Sequence, residues 1–347
     1  MQFSLFVHME RYREEQTHRE LFEELCELVQ IAEAGGFRTA WIGEHHGMQY
    51  TSSPSPVAQL AYLAAKTESI RLGAGTFVAP FWHPIRLAGD AALLDVISNG
   101  RLEFGIARGA YQFEFDRLVD GLSAADGGKA LREMIPALQG LWQGDYAHQG
   151  EIYNFPTTTC VPKPLQGPRP PIWIAARDPS SHDFAVENHC NVMVTALMKG
   201  DEEVADLANK FATACANHPD VARPELMLLR HTYVHEASDP EGWRTGAEAL
   251  NLFYRYFLAW FKNDQPGTDG FFDPLPPEAV ADNPEFALES LRRNMMVGTP
   301  DEIVARLKQY EALGVSEYSF WTDNTLPFEE KKRSLELFIR DVMPHFR

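Results

Sequence analysis

The sequence predicts an α/β chain folded as a (β/α)8 barrel, with insertions in the loops at the C-terminal face. Three observations predict it. Eight short apolar runs alternate with segments of helical spacing along 347 residues, more than the roughly 250 a bare barrel of this class needs. A hydrophobic share of 45% with 23% charged residues is globular and can bury a large core. No G-x-G-x-x-G follows the first strand, where a doubly wound dinucleotide fold would place one.

Residues 2–8 read as the first strand, and 17–34 as a helix with Leu21, Phe22, Leu25, Leu28 and Val29 on one face, closed by Gly35-Gly36. The pattern repeats as strand 38–43 with helix 55–66, strand 70–78 with helix 84–97, and strand 102–107 with helix 129–142. Pro84 at the helix entry and Asn99-Gly100 past its exit mark those boundaries. Residues 144–171, rich in Gly, Pro, Thr and Tyr, read as an irregular insertion that could hold a short hairpin. Strand 172–176, helix 180–188, strand 192–196, helix 202–216, strand 225–234 and helix 241–261 continue the alternation. A Pro- and Gly-rich stretch, 263–284, reads as a mobile loop before helix 300–313, strand 317–321 and helix 327–343. The whole of 1–347 is expected to form a single barrel domain.

Composition excludes several functions. With 49 acidic against 31 basic residues the net charge is −18, which repels nucleic acid and anionic lipid. No apolar run approaches the ~20 residues of a membrane span, and the N-terminus lacks a basic region and cleavage site, so a cytoplasmic protein is expected. Cys26, Cys160, Cys190 and Cys215 are scattered without ligand spacing, which argues for a reducing compartment and no metal site.

In a barrel, residues just past the C-terminal strand ends converge on one face. Glu44-His45-His46 follows the second strand. Adjacent residues on an extended chain point oppositely, so the two imidazoles cannot share a metal. One can instead face a pocket as an acid, base or donor, with Glu44 as its orienting carboxylate. After the fourth strand Arg108-Gly109 puts a permanent cation on a tight turn, an anion-binding layout, with Tyr111 close behind. After the fifth, Ala176 and Arg177 lead to Asp178, Ser180 and Ser181 at a helix start, a phosphate seat unless these residues only cap the helix. Aromatics from Phe253 to Phe272, with Phe81 and Trp82, could wall a flat or apolar ligand.

Taken together, Ile42 to His46, the run Gly73 to Pro80 followed by His83-Pro84, and Gly100 to Tyr111 resemble the bacterial luciferase-like, flavin-dependent monooxygenases, over nearly the whole chain. The resemblance implies the same barrel, His45 with Glu44 near the flavin ring, and Arg108 at the FMN phosphate with Tyr111, Ala176, Arg177, Ser180 and Ser181. It also implies a non-prolyl cis peptide between Gly75 and Thr76 beneath the ring. Reduced FMN from a separate flavin reductase would react with O2 to a C4a-peroxyflavin that oxygenates a small apolar organic substrate, in a homodimer. The stretch 263–284 would be the lid. Ala107 stands where the luciferase α-subunit has a reactive cysteine, and Arg177 where it has an acid, which implies a more cationic phosphate seat. A deazaflavin-dependent dehydrogenase and a non-catalytic flavin-binding protein are the alternatives on this scaffold.

Overall fold

The computed structural model describes residues 1–262 and 267–346. Among them the strands are β1 (Gln2–Phe6), β2 (Thr39–Ile42), β3 (Arg71–Val78), β4 (Leu102–Ala107), β5 (Asp145–Gln149), β6 (Asn154–Thr159), β7 (Ile172–Ala175), β8 (Asn191–Thr195), β9 (Leu226–Val234), β10 (Met296–Gly298) and β11 (Glu317–Trp321). The helices are α1 (His18–Gly35), α2 (Pro56–Ala64), α3 (Pro84–Ile97), α4 (Gln112–Leu118), α5 (Gly127–Gln143), α6 (Pro179–Glu187), α7 (Asp201–Asn217), α8 (Trp243–Lys262), α9 (Leu288–Asn294), α10 (Pro300–Ala312) and α11 (Phe328–Leu337).

Eight of the described strands pair in parallel in the order β9, β11, β1, β2, β3, β4, β7, β8, and β8 returns to β9, so the sheet closes on itself. This is the predicted (β/α)8 barrel. Helix starts follow the local signals. Thr17 and Glu20 form a capping box on α1, which ends at Gly36 in the left-handed region at φ 85°. Thr299 and Glu302 repeat the box on α10. The insertion holds the antiparallel hairpin β5–β6.

Three elements lie beyond the sequence reading. The seven-residue helices α4 and α9 are too short for periodicity to reveal. The three-residue β10 pairs with the end of β9 and packs outside the barrel's eight-strand circuit. Of the expected mobile loop, 263–266 lie outside the described residues. The rest carries short 3-10 turns and docks on the neighbouring loop: Gln49 N–H donates to Gly270 O at 3.0 Å and Arg11 lies 4.9 Å over the Phe271 ring.

The N-terminal end of the barrel is plugged by a charge network. Arg38 bridges Glu225 and Glu317, the latter at 3.1 Å, and Arg71 bonds Glu103. Trp173 donates to the other Glu103 oxygen at 2.6 Å and Trp41 to Glu317 at 3.3 Å. Both carboxylates have no exposed side-chain surface. Burial pushes Glu317 up to about 7 despite Arg38.

Candidate active site

The opposite end opens into a cavity of about 770 Å³, lined by residues in or just past β1, β2, β3, β4, β7, β8 and β9 and by α4, α5, α6, α7 and α8. His45, Glu44, Gly75, Thr76, Arg108, Tyr111, Ala176, Arg177 and Ser181 line it. Ser180 does not: it borders a separate depression between α6 and α7. The Gly75–Thr76 peptide is cis.

The paired histidines split as strand geometry demands. His45 lines the cavity, edge-on to Trp260 with ring centroids 5.2 Å apart. His46 turns away against Phe81, and its Nε2 meets Glu44 Oε1 at 3.0 Å. Glu44 is therefore not the orienting partner of His45. Its buried carboxylate is taken by His46, by the Val78 backbone N–H at 2.7 Å and by the Trp82 indole at 3.0 Å, pinning the β2 and β3 ends together. The partner of His45 is Glu114, whose Oε1 lies 3.3 Å from Nδ1 and also accepts the His46 backbone N–H at 2.8 Å. Glu114 is on α4, the short helix that periodicity misses. The only local signal was an acidic residue three places after Tyr111 at a helix start.

Arg108 is exposed and donates to the Ala124 carbonyl at 3.2 Å, with no carboxylate partner among the described residues. Two glycines shape its turn. Gly109 has φ +75°, and a Cβ on Gly127 would stand 2.0 Å from the Arg108 carbonyl oxygen. That approach brings α5 and its Arg132 to the same rim. Arg132 donates to Ser180 Oγ at 3.1 Å. Lys210, from α7, also lines the cavity, paired with Asp206 at 2.5 Å.

The seat at α6 differs from expectation. Asp178 caps the helix, accepting from Ser181 N–H at 3.1 Å and Ser180 Oγ at 2.7 Å. Burial would raise its pKa, but these bonds outweigh burial and hold it at about 2. Arg177 is bound to Glu203 at 2.6 Å and to the Thr195 carbonyl, so it adds less positive charge than its sequence position implies. Among the described residues, the cavity-lining cations without a carboxylate partner are instead Arg108 and Arg132. Arg132 is the second site residue the sequence reading missed, since only the close approach of α5 at Gly127 brings it in.

Tyr111 packs on Trp260, with centroids 3.5 Å apart, and on Phe261 at 4.9 Å. Phe257 and Phe261 extend this aromatic wall along the last turns of α8. A flat conjugated ring fits beside such a wall, and a phosphate fits a rim of unpaired guanidinium groups. The donor set therefore suits a flavin mononucleotide.

A parallel barrel with this mouth serves several chemistries, and comparison with known proteins makes the assignment. The luciferase-like monooxygenase family matches residues 1–317, and the chain belongs to it. It is 55% identical over 346 residues to the oxygenase component of a flavin-dependent trigonelline monooxygenase of Acinetobacter baylyi, covering 100% of this chain and 96% of the relative. The structure of the monooxygenase RslO1 from Streptomyces bottropensis superposes with a TM-score of 0.84 at 27% identity, covering 100% of both chains. The oxygenating constituent of 3,6-diketocamphane monooxygenase from Pseudomonas putida, solved in complex with FMN, shares the fold at TM-score 0.77 and 17% identity, over 99% of this chain and 98% of that one. This chain is a flavin-dependent monooxygenase. No helix among its described residues is long and apolar enough to cross a membrane.

Proposed function

We propose that the chain is the oxygenase half of a two-component system. It takes reduced FMN from a separate flavin reductase and, with O2, oxygenates a small aromatic cation bearing a carboxylate, of the trigonelline type. The identity of 55% along the full chain to the trigonelline oxygenase component carries this reading. The flat ring of such a substrate is the apolar part that the wall of Tyr111, Phe257 and Phe261 can take.

Bound reduced FMN supplies the two electrons with which O2 is split between product and water. The chain's own residues do the rest. Arg108 and Arg132 hold the phosphate by charge-assisted hydrogen bonds, with Ser181 and Arg177 beside them. Gly75, Thr76 and Ala176, which line the cavity, would border the ring, and Tyr111 packs on Trp260 beside them. His45, oriented by Glu114, holds a proton at the reacting face, and Glu44 fixes the loop that presents it. Of the expected lid, the described residues 267–284 serve to exclude water on closure. Limited proteolysis there should slow when FMN is bound.

The helices α2 and α3 expose Tyr62, Leu93, Val96 and Ile97, an apolar face that supports a homodimer. Sedimentation should give twice the chain mass, and Leu93→Asp should shift it to one. Four free cysteines support a reducing cytoplasm.

The deciding experiment is anaerobic titration with reduced FMN, followed by trigonelline and 18O2. Tight flavin binding and one heavy oxygen in the product are expected. Weak binding of reduced FMN with oxygen-independent hydride transfer from a deazaflavin would replace this reading by the dehydrogenase. Both His45→Ala and Glu114→Gln should lower coupled product yield about 100-fold, the low end of the general acid–base range; full coupling in His45→Ala would remove its role.

A further inference from the structure

Past the cavity, between the C-terminal ends of β1, β9 and β11, lies a closed polar cluster that the flavin chemistry leaves unused. His231 is fully buried, and neither ring nitrogen has a hydrogen-bond partner among the described residues. The Asp323 backbone carbonyl lies near enough to influence its titration but not in hydrogen-bond geometry. Nδ1 of buried His8, the Tyr254 hydroxyl and the indole N–H groups of Trp260 and Trp321 also lack a partner in hydrogen-bond geometry among the described residues, although Trp321 lies near enough to Asp323 to favour its carboxylate. Leaving such a group unpaired is costly, so five in one place mark a ligand position.

The cluster adjoins the lining of the cavity without opening into it. Strand alternation puts His231 on the face of cavity-lining Leu229, and His8 on that of cavity-lining Phe6, its ring 4.7 Å away. Trp321 lies between them, stacked on His231 at 3.7 Å and 6.5 Å from His8. His8 is 5.7 Å from His45. The nearby acids each have one oxygen engaged: Asp323 accepts the His8 backbone N–H at 2.6 Å, with Lys331 at 3.6 Å, and Glu10 accepts from Tyr12 at 2.5 Å. Burial keeps both imidazoles well below their ordinary pKa, so each is neutral and offers one N–H.

We propose that His8 and His231 form the polar end of the substrate pocket, donating hydrogen bonds to an oxygen acceptor on the substrate ring, a carboxylate or carboxamide oxygen. This rests on the oxygenase reading above and names the residues that give it specificity. A site built to bond a substituent rejects the analogue lacking it, because its own buried groups stay unpaired.

The test is anaerobic calorimetric titration of the protein saturated with reduced FMN, using trigonelline, 1-methylnicotinamide and N-methylpyridinium. Wild type should bind the first, the second or both at least about ten-fold more tightly than the third, the stronger of the two identifying the acceptor. In His231→Phe and His8→Phe that advantage should collapse toward one, with reduced-FMN affinity unchanged and Tm not lowered, since an apolar ring of similar size removes unpaired nitrogens. His231→Asn, which restores a donor, should recover part of the advantage. Equal affinities in wild type would mean that water alone meets these nitrogens, and would overturn the proposal. So would failure of the wild type to bind trigonelline, or an advantage that survives in both Phe variants. The oxygenase reading is judged apart from this, by flavin binding and O2 consumption in the wild type.

Discussion

The two ends of the barrel solve the same problem in opposite ways. At the N-terminal end Glu103 and Glu317, wholly buried, have their oxygens met by Arg38, Arg71, Trp41 and Trp173. At the C-terminal end His8, His231, Tyr254 and two indoles are also buried, yet His8 Nδ1, both His231 ring nitrogens, the hydroxyl and the indole N–H groups find no hydrogen-bond partner among the described residues. Satisfied networks lock a fold, whereas unsatisfied ones are tolerated where a ligand completes them. The first end is a plug and the second a receptor.

Substitutions should separate the two. The largest effect is expected at the plug. Arg38→Met leaves Glu317 without its cation and should cost about 3–5 kcal/mol in urea unfolding, while flavin affinity per folded molecule is unchanged. An equal loss on replacing His231 by Phe would erase the contrast. Next comes the receptor rim, where Arg108→Gln should weaken reduced-FMN binding about 10- to 100-fold in anaerobic titration and leave the unfolding midpoint in place. The smallest effect sharpens the plug itself. Glu317 is held up at about 7 by burial, so between its ordinary pKa and that value the folded state keeps a proton that the unfolded state has lost. Its contribution to stability is present in acid and is lost as pH rises through about 7. Relative to Glu317→Gln, wild type should therefore lose stability by on the order of 1 kcal/mol per pH unit from about 5 to 7, then run parallel. Parallel curves throughout would show that the carboxylate is ionised across the range.

Much of this was legible in the chain. The eight strands and most helices carry their own periodicity, and Arg108-Gly109 and Glu44-His45-His46 stand where strand ends put chemistry. The errors share one cause. Glu44 beside His45 looks like its partner, but successive residues of an extended chain point apart, and the carboxylate that reaches His45 comes from Glu114 on a helix of seven residues. Arg177 reads as a free cation until α7 brings Glu203 against it, and Arg132 reads as helix surface until Gly127 lets α5 touch the Arg108 turn.

What the sequence determined by itself is what local forces encode: strand and helix positions, caps, turns and the residue types at each strand end. Which of those residues are paired, and which are left waiting, was decided only by the closed barrel. Closure brings β1, β9 and β11 side by side and sets His8 near His231, 223 positions apart in the chain. A hydrogen bond depends on a few tenths of an ångström between groups that no local pattern relates.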